Sequence, residues 1–330
     1  MNKKPIVVIC FGDRKNQSLK FNDLKYFRSY RDLCAKLEKQ NINTYIAKGN
    51  NHRFLGNMTF KSVASFIKNT LVDTQKPIKA NLAFLRTSNW QKNKKPIYVL
   101  NQLALIEICK NKLKTYRLLK KYMPKTYPIN PLNFHTVINK ITTSKVVIKP
   151  INGNGGTDVY VMEKSNINVK IKKIIKRRKC LAQEFVDTKE GIANMVDGYH
   201  DLRIINFSGE LCLGYIRQPK KNLVSNIARH GQEKIIPFDK IPDSAKEICK
   251  EIDKNFIKFG PRIYSIDMGF EKGKPKIFEL NSYPGMPFYE YNLHSKYYDV
   301  FHDNIVRTIK QALALNQRTN SLGNNSNLIK

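Results

Sequence analysis

Two acidic residues and an asparagine in the last quarter of the sequence have the types and spacing of a metal site. Glu279 and Asn281 are two residues apart in the segment KIFELN, so a strand directs both side chains to one face. Asp267 lies in the segment RIYSIDMGF, which a turn through Lys272–Lys274 joins to KIFELN. Pairing across that turn brings the three together as an all-oxygen set, which suits Mg²⁺. The alternative is that Asp267 and Glu279 face solvent on the sheet. Both lie between apolar neighbours in the sequence, however, and an acid in such a position needs a partner.

A lysine and a glycine-rich loop form a second candidate site, for phosphate. Lys149 ends the apolar segment VVIKP, and the loop INGNGGTD follows at 151–158. Glycines allow backbone N–H groups to close on phosphate oxygens. The loop is neither GxxxxGK[ST] nor GxGxxG, because Asp158 occupies the last position of the second pattern. Taken alone, the loop favours an ordinary hairpin turn between VVIKP and VYVMEK.

Polar residues also end a third apolar segment, CLAQEFV. Gln183 and Glu184 follow three apolar residues, where they are placed to meet an adenine edge and a ribose. The alternative is a strand that emerges into solvent, and on these residues alone it is the better interpretation.

Two arginines lie in DLRIINFSGELCLGYIRQ, a segment whose pattern predicts two strands joined at Ser208–Gly209. Arg203 and Arg217 are placed to clamp phosphate or carboxylate groups. The alternative is ion pairing on the sheet surface, with Asp201 or Glu210 as the partner of Arg217.

Hydrophobic patterns predict the elements that position these residues. The run PIVVICF at 5–11 is typical of a buried parallel strand, and apolar residues at helical spacing predict a helix over 23–40. A second strand, NINTYIA, completes a β-α-β unit. A strand at 96–101 and a helix at 102–122 continue this style. After the prolines between Pro124 and Pro131, antiparallel hairpins predominate, which predicts an α+β region.

Composition limits the function classes. The 330 residues predict about two domains, and 41% hydrophobic residues support a sizeable core. The net charge of +33 favours phosphates, nucleic acid or anionic substrates as partners, although AT-biased coding explains it equally well. The six cysteines form no CxxC pair, which argues against zinc and disulfide frameworks. No apolar run reaches membrane-spanning length or that of a signal-peptide core, so we expect a cytoplasmic protein with no membrane partner.

Taken in order, these segments resemble the ATP-grasp ligases, and within them the glutathione-synthetase-like and ribosomal-protein glutamate-ligase branch. The resemblance covers about residues 100–310. Its most specific part is Asp267 followed by E-x-N-x-x-P-G in FELNSYPGMPFYE. The other matching segments are NKLKTYRLLKKYMPKTYPI, VVIKPINGNGGTDVYVM, LAQEFV, DLR and SIDMGF, with Arg217 and Asn226.

The resemblance implies an α/β N-terminal domain followed by a two-lobed α+β ATP-grasp domain. The predicted N-terminal (pre-ATP-grasp) domain is 1–125, and the predicted ATP-grasp domain is 126–315. The small lobe is expected at about 126–182 and the large lobe at about 183–315, with a polar tail at 316–330.

The resemblance also implies roles for individual residues. The implied nucleotide-binding residues are Lys112, Lys149, Gly153, Gly155, Gly156, Thr157, Gln183, Glu184, Phe185 and Val186. The implied ligands of two Mg²⁺ ions, with Mn²⁺ as the alternative, are Asp267, Glu279 and Asn281. The implied catalytic residues are Arg203, Arg217 and Asn226.

The implied activity is an ATP- and Mg²⁺-dependent carboxylate–amine ligase that forms an acyl phosphate and releases ADP and phosphate. Arg217 would stabilise the tetrahedral oxyanion, and Asn226 would lie near the second metal or the acyl group. The expected substrates are small-molecule or peptide carboxylates and amines of acidic character. Alternatives are a nucleic-acid or ribosome-associated binder that keeps the fold without catalysis, and an ATP-grasp kinase.

Two departures from the closest branch bear on the amine acceptor. Ser225 precedes Asn226, and His230–Gly231 stands where two glycines are expected. An insertion at 190–200 precedes Asp201. The identity of the amine acceptor therefore stays open. The sequence also leaves the oligomeric state open.

Overall fold

The computed structural model describes residues 3–12, 19–49, 52, 54–87, 98–153, 158–167, 169–219, 232–289 and 295–325. The chain packs as two compact units. Unit 1 comprises Met1–Leu105, Ile257–Ile263 and Tyr283–Lys330. Unit 2 comprises Ile106–Phe256 and Tyr264–Ser282. These units do not follow contiguous ranges of sequence, because the last helix returns to the first sheet.

The strands and helices have the following bounds. In unit 1 the strands are β1 (Ile6–Phe11), β2 (Asn43–Lys48), β3 (Phe54–Gly56), β4 (Thr59–Phe60), β5 (Val63–Ile67), β6 (Thr70–Thr74), β7 (Ile78–Lys79), β8 (Leu82–Leu85) and β9 (Val99–Leu100). The later strands are β10 (Thr126–Ile129), β11 (Lys145–Pro150), β12 (Tyr160–Glu163), β13 (Cys180–Glu184), β14 (Asp201–Phe207), β15 (Glu210–Gln218), β16 (Gln232–Pro237), β17 (Ile263–Glu271) and β18 (Lys274–Asn281). The α-helices are α1 (Leu24–Lys39), α2 (Leu103–Lys110), α3 (Lys112–Leu119), α4 (Phe134–Lys140), α5 (Val169–Arg177), α6 (Asp243–Lys254) and α7 (Ser295–Asn325).

Unit 1 is built on a mixed six-stranded sheet of order β6-β5-β2-β1-β8-β9. β1 is parallel to both of its neighbours, β2 and β8, which confirms the predicted β-α-β unit and explains its continuous apolar run. Asp23 caps α1 by accepting a hydrogen bond from the backbone N–H of Lys25. The short strands β3, β4 and β7 form a separate small sheet that the sequence patterns do not predict.

α7 packs against α1, β8 and β9, so it closes unit 1. His302 on α7 is fully buried, and its Nε2 lies 3.2 Å from Ser29 Oγ of α1. The imidazole Nδ1 lies 3.0 Å from the carbonyl oxygen of Tyr298. A buried polar link therefore joins two helices that are far apart in sequence.

The first half of unit 2 is an antiparallel four-stranded sheet of order β10-β13-β11-β12, with α4 and α5 packed on one face. Val146 and Ile148 of β11 belong to that apolar core. Because strand side chains alternate, Lys149 points to the opposite face of the sheet. α5 contributes Ile171 and Ile175 to the core and exposes Lys172, Lys173, Lys176 and Arg177 to solvent.

The second half of unit 2 is an antiparallel five-stranded sheet of order β16-β15-β14-β17-β18. Both predicted hairpins are confirmed: β14 and β15 join at Ser208–Gly209, and β17 and β18 join at Lys272–Gly273. All four turn residues have positive φ, as two-residue hairpin turns require. α6 buries Ala245, Cys249 and Ile252 on its apolar face.

All six cysteines are free thiols, and only Cys212 is not buried, as expected for small hydrophobic residues. Within the described ranges, no helix combines the length and the apolar character needed to cross a membrane.

Candidate active site

Lys149 is buried on the face of the four-stranded sheet opposite α4 and α5. Its Nζ donates to Gln183 Oε1 at 2.8 Å and to the backbone oxygen of Phe278 at 3.3 Å. Burial lowers the pKa of Lys149, Glu279 opposes this and the nearby charge of Lys112 adds to it, and the net pKa is about 8. No carboxylate of the described residues is in direct contact with this ammonium, an arrangement that suits an incoming anion.

Lys112 reaches the same region because the predicted helix at 102–122 is broken. Asn111 ends α2 and caps α3, its side chain accepting from the backbone N–H groups of Leu113 and Lys114. The periodic pattern gave no sign of this break. Lys112 Nζ donates to the carbonyl oxygen of Gly153 at 2.6 Å and lies 3.4 Å from Glu279 Oε2. Of the predicted glycine loop, Gly155, Gly156 and Thr157 lie outside the described residues.

The predicted adenine and ribose residues lie at the end of β13 and directly after it, and threonines contact three of them. Gln183 donates through Nε2 to Thr126 Oγ1 at 2.7 Å. Glu184 accepts at Oε1 from the hydroxyl of Thr142 at 2.6 Å. The backbone N–H of Phe185 donates to Thr143 Oγ1 at 3.2 Å, and Val186 is buried. Sequence patterns missed all three threonines, because hydroxyls near strand ends carry no distinctive spacing.

The β17–β18 hairpin brings the predicted metal ligands together. Asp267 is directly opposite Glu279, and a bulge follows Asp267. Asn281 donates through Nδ2 to Asp267 Oδ2 at 3.2 Å, which leaves the Asn281 Oδ1 as the free end of the amide. Two carboxylates and an amide oxygen on one face fit a hard divalent cation. Among the described residues no cluster of three or more His, Cys, Asp or Glu side chains has the arrangement of a metal site, and the predicted set contains two acids and one amide.

Two arginines and a second aspartate surround Asp267. Arg203 forms a bidentate pair with it, Nε to Oδ1 at 2.7 Å and Nη2 to Oδ2 at 2.6 Å. Arg217 donates through Nη2 to Asp267 Oδ2 at 3.0 Å and through Nε to Asp201 Oδ1 at 2.6 Å. Arg217 does pair with Asp201, as the alternative interpretation held, but both side chains are buried beside Asp267 rather than on the surface. Acids and bases thus alternate in one buried cluster.

Electrostatics keep Asp267 ionised. Burial raises its pKa, but the guanidiniums of Arg203 and Arg217 outweigh burial and lower it to about 2. Burial raises the pKa of Asp201 to about 7; Arg217 opposes this rise and the charge of Asp267 adds to it. A permanently charged carboxylate at Asp267 suits a cation ligand.

The remaining predicted residue, Asn226, lies outside the described part of the chain, as does His230. The insertion at 190–200 forms a compact turn in which Ile192 and Val196 bridge. His200, which ends the insertion, donates its backbone N–H to Thr188 Oγ1 at 3.1 Å.

Solved structures of similar fold include several ligases. The D-alanine–D-alanine ligase from Bacillus anthracis complexed with ATP is 13% identical, with a TM-score of 0.61 over 96% of this chain and 99% of that chain. The ATP-grasp ligase PsnB, complexed with a phosphomimetic variant of a minimal precursor, Mg and ADP, is 14% identical, with a TM-score of 0.57 over 94% and 100%. The VanG D-Ala:D-Ser ligase from Enterococcus faecalis is 12% identical, with a TM-score of 0.61 over 95% and 99%.

No protein in the curated set matches this sequence. The family described as prokaryotic glutathione synthetase, ATP-grasp domain, matches residues 104–272. That match spans just over half of the sequence and contains Lys112, Lys149, Arg203, Arg217 and Asp267. The chain therefore belongs to the ATP-grasp family of prokaryotic glutathione synthetase, a class of ATP-dependent carboxylate–amine ligases.

Proposed function

We propose that the protein joins a carboxylate to an amine in two steps, through an acyl phosphate, with ATP and Mg²⁺. One observation carries the proposal: Lys112 lies between the Gly153 carbonyl oxygen, at 2.6 Å, and Glu279 Oε2, at 3.4 Å. The lysines suited to phosphate and the acids suited to a cation are therefore contiguous within unit 2. Phosphoryl transfer needs that combination.

In the first step, a substrate carboxylate oxygen attacks the γ-phosphorus of ATP. The new oxygen–phosphorus bond forms as the bond to the β-γ bridging oxygen breaks, and ADP leaves with the bonding electron pair. Lys149 and Lys112 hold phosphate oxygens and balance their charge. Glu184, with the backbone at Phe185 and Val186, holds the adenosine end.

Asp267, Glu279 and Asn281 would hold Mg²⁺, two ions in the full proposal, with Mn²⁺ as a substitute. In such a site Mg²⁺ neutralises charge on the transferred phosphoryl group. The donor set supports this assignment because it is all oxygen and Asp267 stays ionised. The similar PsnB structure contains Mg and ADP, which supports it further.

In the second step, the amine attacks the acyl carbon. A nitrogen–carbon bond forms, phosphate leaves with its bonding pair, and the nitrogen gives up one proton. Arg217 donates to the tetrahedral oxyanion, and Arg203 and Asn226 orient the acyl group. The substrates are carboxylates and amines of acidic character, small molecules or peptides, in keeping with these two arginines and the net charge of +33.

An isotope experiment tests the two-step chemistry. The full chain, ATP and Mg²⁺ are incubated with a mixture of amino acids and acidic peptides whose carboxylates carry ¹⁸O. Acyl-phosphate chemistry transfers one ¹⁸O to the released phosphate and yields a condensed product by mass spectrometry. A stable phosphorylated product without free phosphate would instead establish a kinase, and ATP hydrolysis without either product would refute ligation.

A second candidate function is polyanion binding, and α5 supplies the observation that favours it. Its outer face, which we call the basic face, consists of the exposed side chains of Lys172, Lys173, Lys176 and Arg177. None of these forms an ion pair with another described residue, and no acid occurs between residues 164 and 183. Replacing the three lysines by Gln should weaken binding of single-stranded RNA in a gel-shift assay. The matched control replaces the exposed Lys250, Lys272 and Lys274.

A further inference from the structure

Arg217 is shared by two buried carboxylates, and only one of them belongs to the proposed metal set. Its Nε and Nη2 both lie 2.6 Å from Asp201 Oδ1, whereas only Nη2 reaches Asp267, at 3.0 Å. Asp201 and Arg217 are directly opposite each other on β14 and β15. The backbone pairing of two central strands therefore fixes the Asp201 contact.

We propose that Asp201 is a positioning residue that keeps Arg217 from competing with a divalent cation for Asp267; this rests on the proposed function. It holds the guanidinium on its own side of the cluster, where an N–H of Arg217 remains for the acyl oxyanion. No sequence pattern marks Asp201 for this role.

The hydrogen bonds at Asp267 show why competition matters. Its Oδ2 already accepts from Arg203, Arg217 and Asn281, and its Oδ1 accepts from Arg203. A cation bound there must displace donors. The displaced guanidinium of Arg217 is nine-tenths buried and needs another anion, because an unpaired buried charge is costly. Among the described residues in contact with Arg217, Asp201 is that anion.

Charge balance leads to the same conclusion. When all four side chains are charged, Asp201, Asp267, Arg203 and Arg217 together carry no net charge, so a cation meets a neutral cluster. If Asp201 loses its charge, the cluster becomes cationic and Arg217 turns fully to Asp267. Both changes oppose a second positive ion at short range, where the effective dielectric constant is low.

A double-mutant cycle on the full chain tests the proposal, with Mn²⁺ as the probe and electron paramagnetic resonance as the readout. Asp201→Asn should weaken Mn²⁺ binding by about tenfold or more. Arg217→Met should leave it unchanged or tighter, because the competitor is gone. The double variant should bind Mn²⁺ as Arg217→Met does. Glu210→Gln, an exposed carboxylate on β15, controls for the loss of one negative charge.

The outcomes separate this inference from the proposed function. Unchanged Mn²⁺ binding in a folded Asp201→Asn variant overturns the inference. A double variant that binds Mn²⁺ as weakly as Asp201→Asn also overturns it, because a purely structural role of Asp201 predicts no rescue by Arg217→Met. Absence of Mn²⁺ binding in the unsubstituted chain overturns the proposed metal site, and the inference with it. Thermal melting of each variant identifies any that fail to fold; in that case Asp201→Glu, which keeps the charge, should retain Mn²⁺ affinity.

Discussion

Lys149 combines burial with positive charge, and this conflict sets a pH dependence. Its pKa is about 8, chiefly because of burial, and a bound phosphate must raise it. ATP affinity should therefore be highest below pH 8 and fall as the pH rises above it, where the free protein holds a neutral amine. Calorimetry from pH 7 to 9.5 in two buffers of different ionisation enthalpy checks this, because binding near pH 8.5 must take up protons.

The substitution Lys149→Met keeps much of the apolar stem and removes the charge. ATP affinity should fall about tenfold or more, since a hydrogen bond to a charged group is lost. Lys140→Met is the matched control, because Lys140 is exposed on α4, the helix that packs on the face of the sheet opposite Lys149. Equal nucleotide Kd values for both variants and the unsubstituted chain would remove Lys149 from the site.

Of the two acids proposed to hold Mg²⁺, Glu279 is the one whose loss the fold should tolerate better. Its side chain is one-quarter exposed and contacts Lys112, whereas Asp267 is buried. Glu279→Ala should abolish ATP turnover and leave thermal stability close to that of the unsubstituted chain. Glu271→Ala, at the turn end of the same hairpin, should keep turnover. Product formation and melting temperature are measured together, and full turnover in Glu279→Ala contradicts the metal assignment.

Arg217 should act after phosphoryl transfer. In the proposed mechanism its guanidinium faces an oxyanion that develops only when the amine attacks, so Arg217→Met should slow condensation by about 10²–10³ and alter ATP binding little. Rapid-quench measurement of ADP and of condensed product in the same sample separates the two steps. Equal, small effects on both would assign Arg217 to packing alone.

At the scale of elements, the contact between α7 and α1 predicts acid sensitivity. Burial lowers the pKa of His302 to about 4, whereas the unfolded chain titrates near 6.5. The neutral imidazole thus adds stability that is fully present above pH 6.5 and is lost as the pH falls toward 4, by about 3 kcal/mol in total. Urea unfolding at pH 7 and pH 5 measures this loss. His302→Gln should flatten the dependence, whereas His135→Gln, at an exposed site on α4, should not.

Hydrophobic spacing and turn residues predicted those elements whose formation depends on residues close together in the sequence. Both hairpins of the five-stranded sheet were predictable, because Ser208–Gly209 and Lys272–Gly273 are two-residue turns between apolar strands. The break at Asn111 was not, because apolar periodicity continues through it. The cluster of Asp201, Arg217 and Asp267 depends on the strand order β15-β14-β17, which no spacing along the chain encodes.

At the scale of the whole molecule, a net charge of +33 predicts that salt stabilises the protein. Like charges repel in the compact state, and ions screen that repulsion beyond about 10 Å at 0.1 M ionic strength. The melting temperature should rise between about 20 and 300 mM NaCl. Neutralising three lysines of the basic face should make the rise smaller. A melting temperature that stays constant or falls would mean that local ion pairs dominate.

Unit 1 takes residues from both sides of unit 2, and this has a consequence for biosynthesis. A ribosome delivers the chain from the amino end, so β8 and β9 emerge long before α7, which packs against them in the finished protein. Every residue of unit 2 has been made before the first residue of α7 leaves the exit tunnel. The apolar surface that α7 covers therefore stays open until α7 has been made, and unit 1 completes its folding only after all of unit 2 has been synthesised.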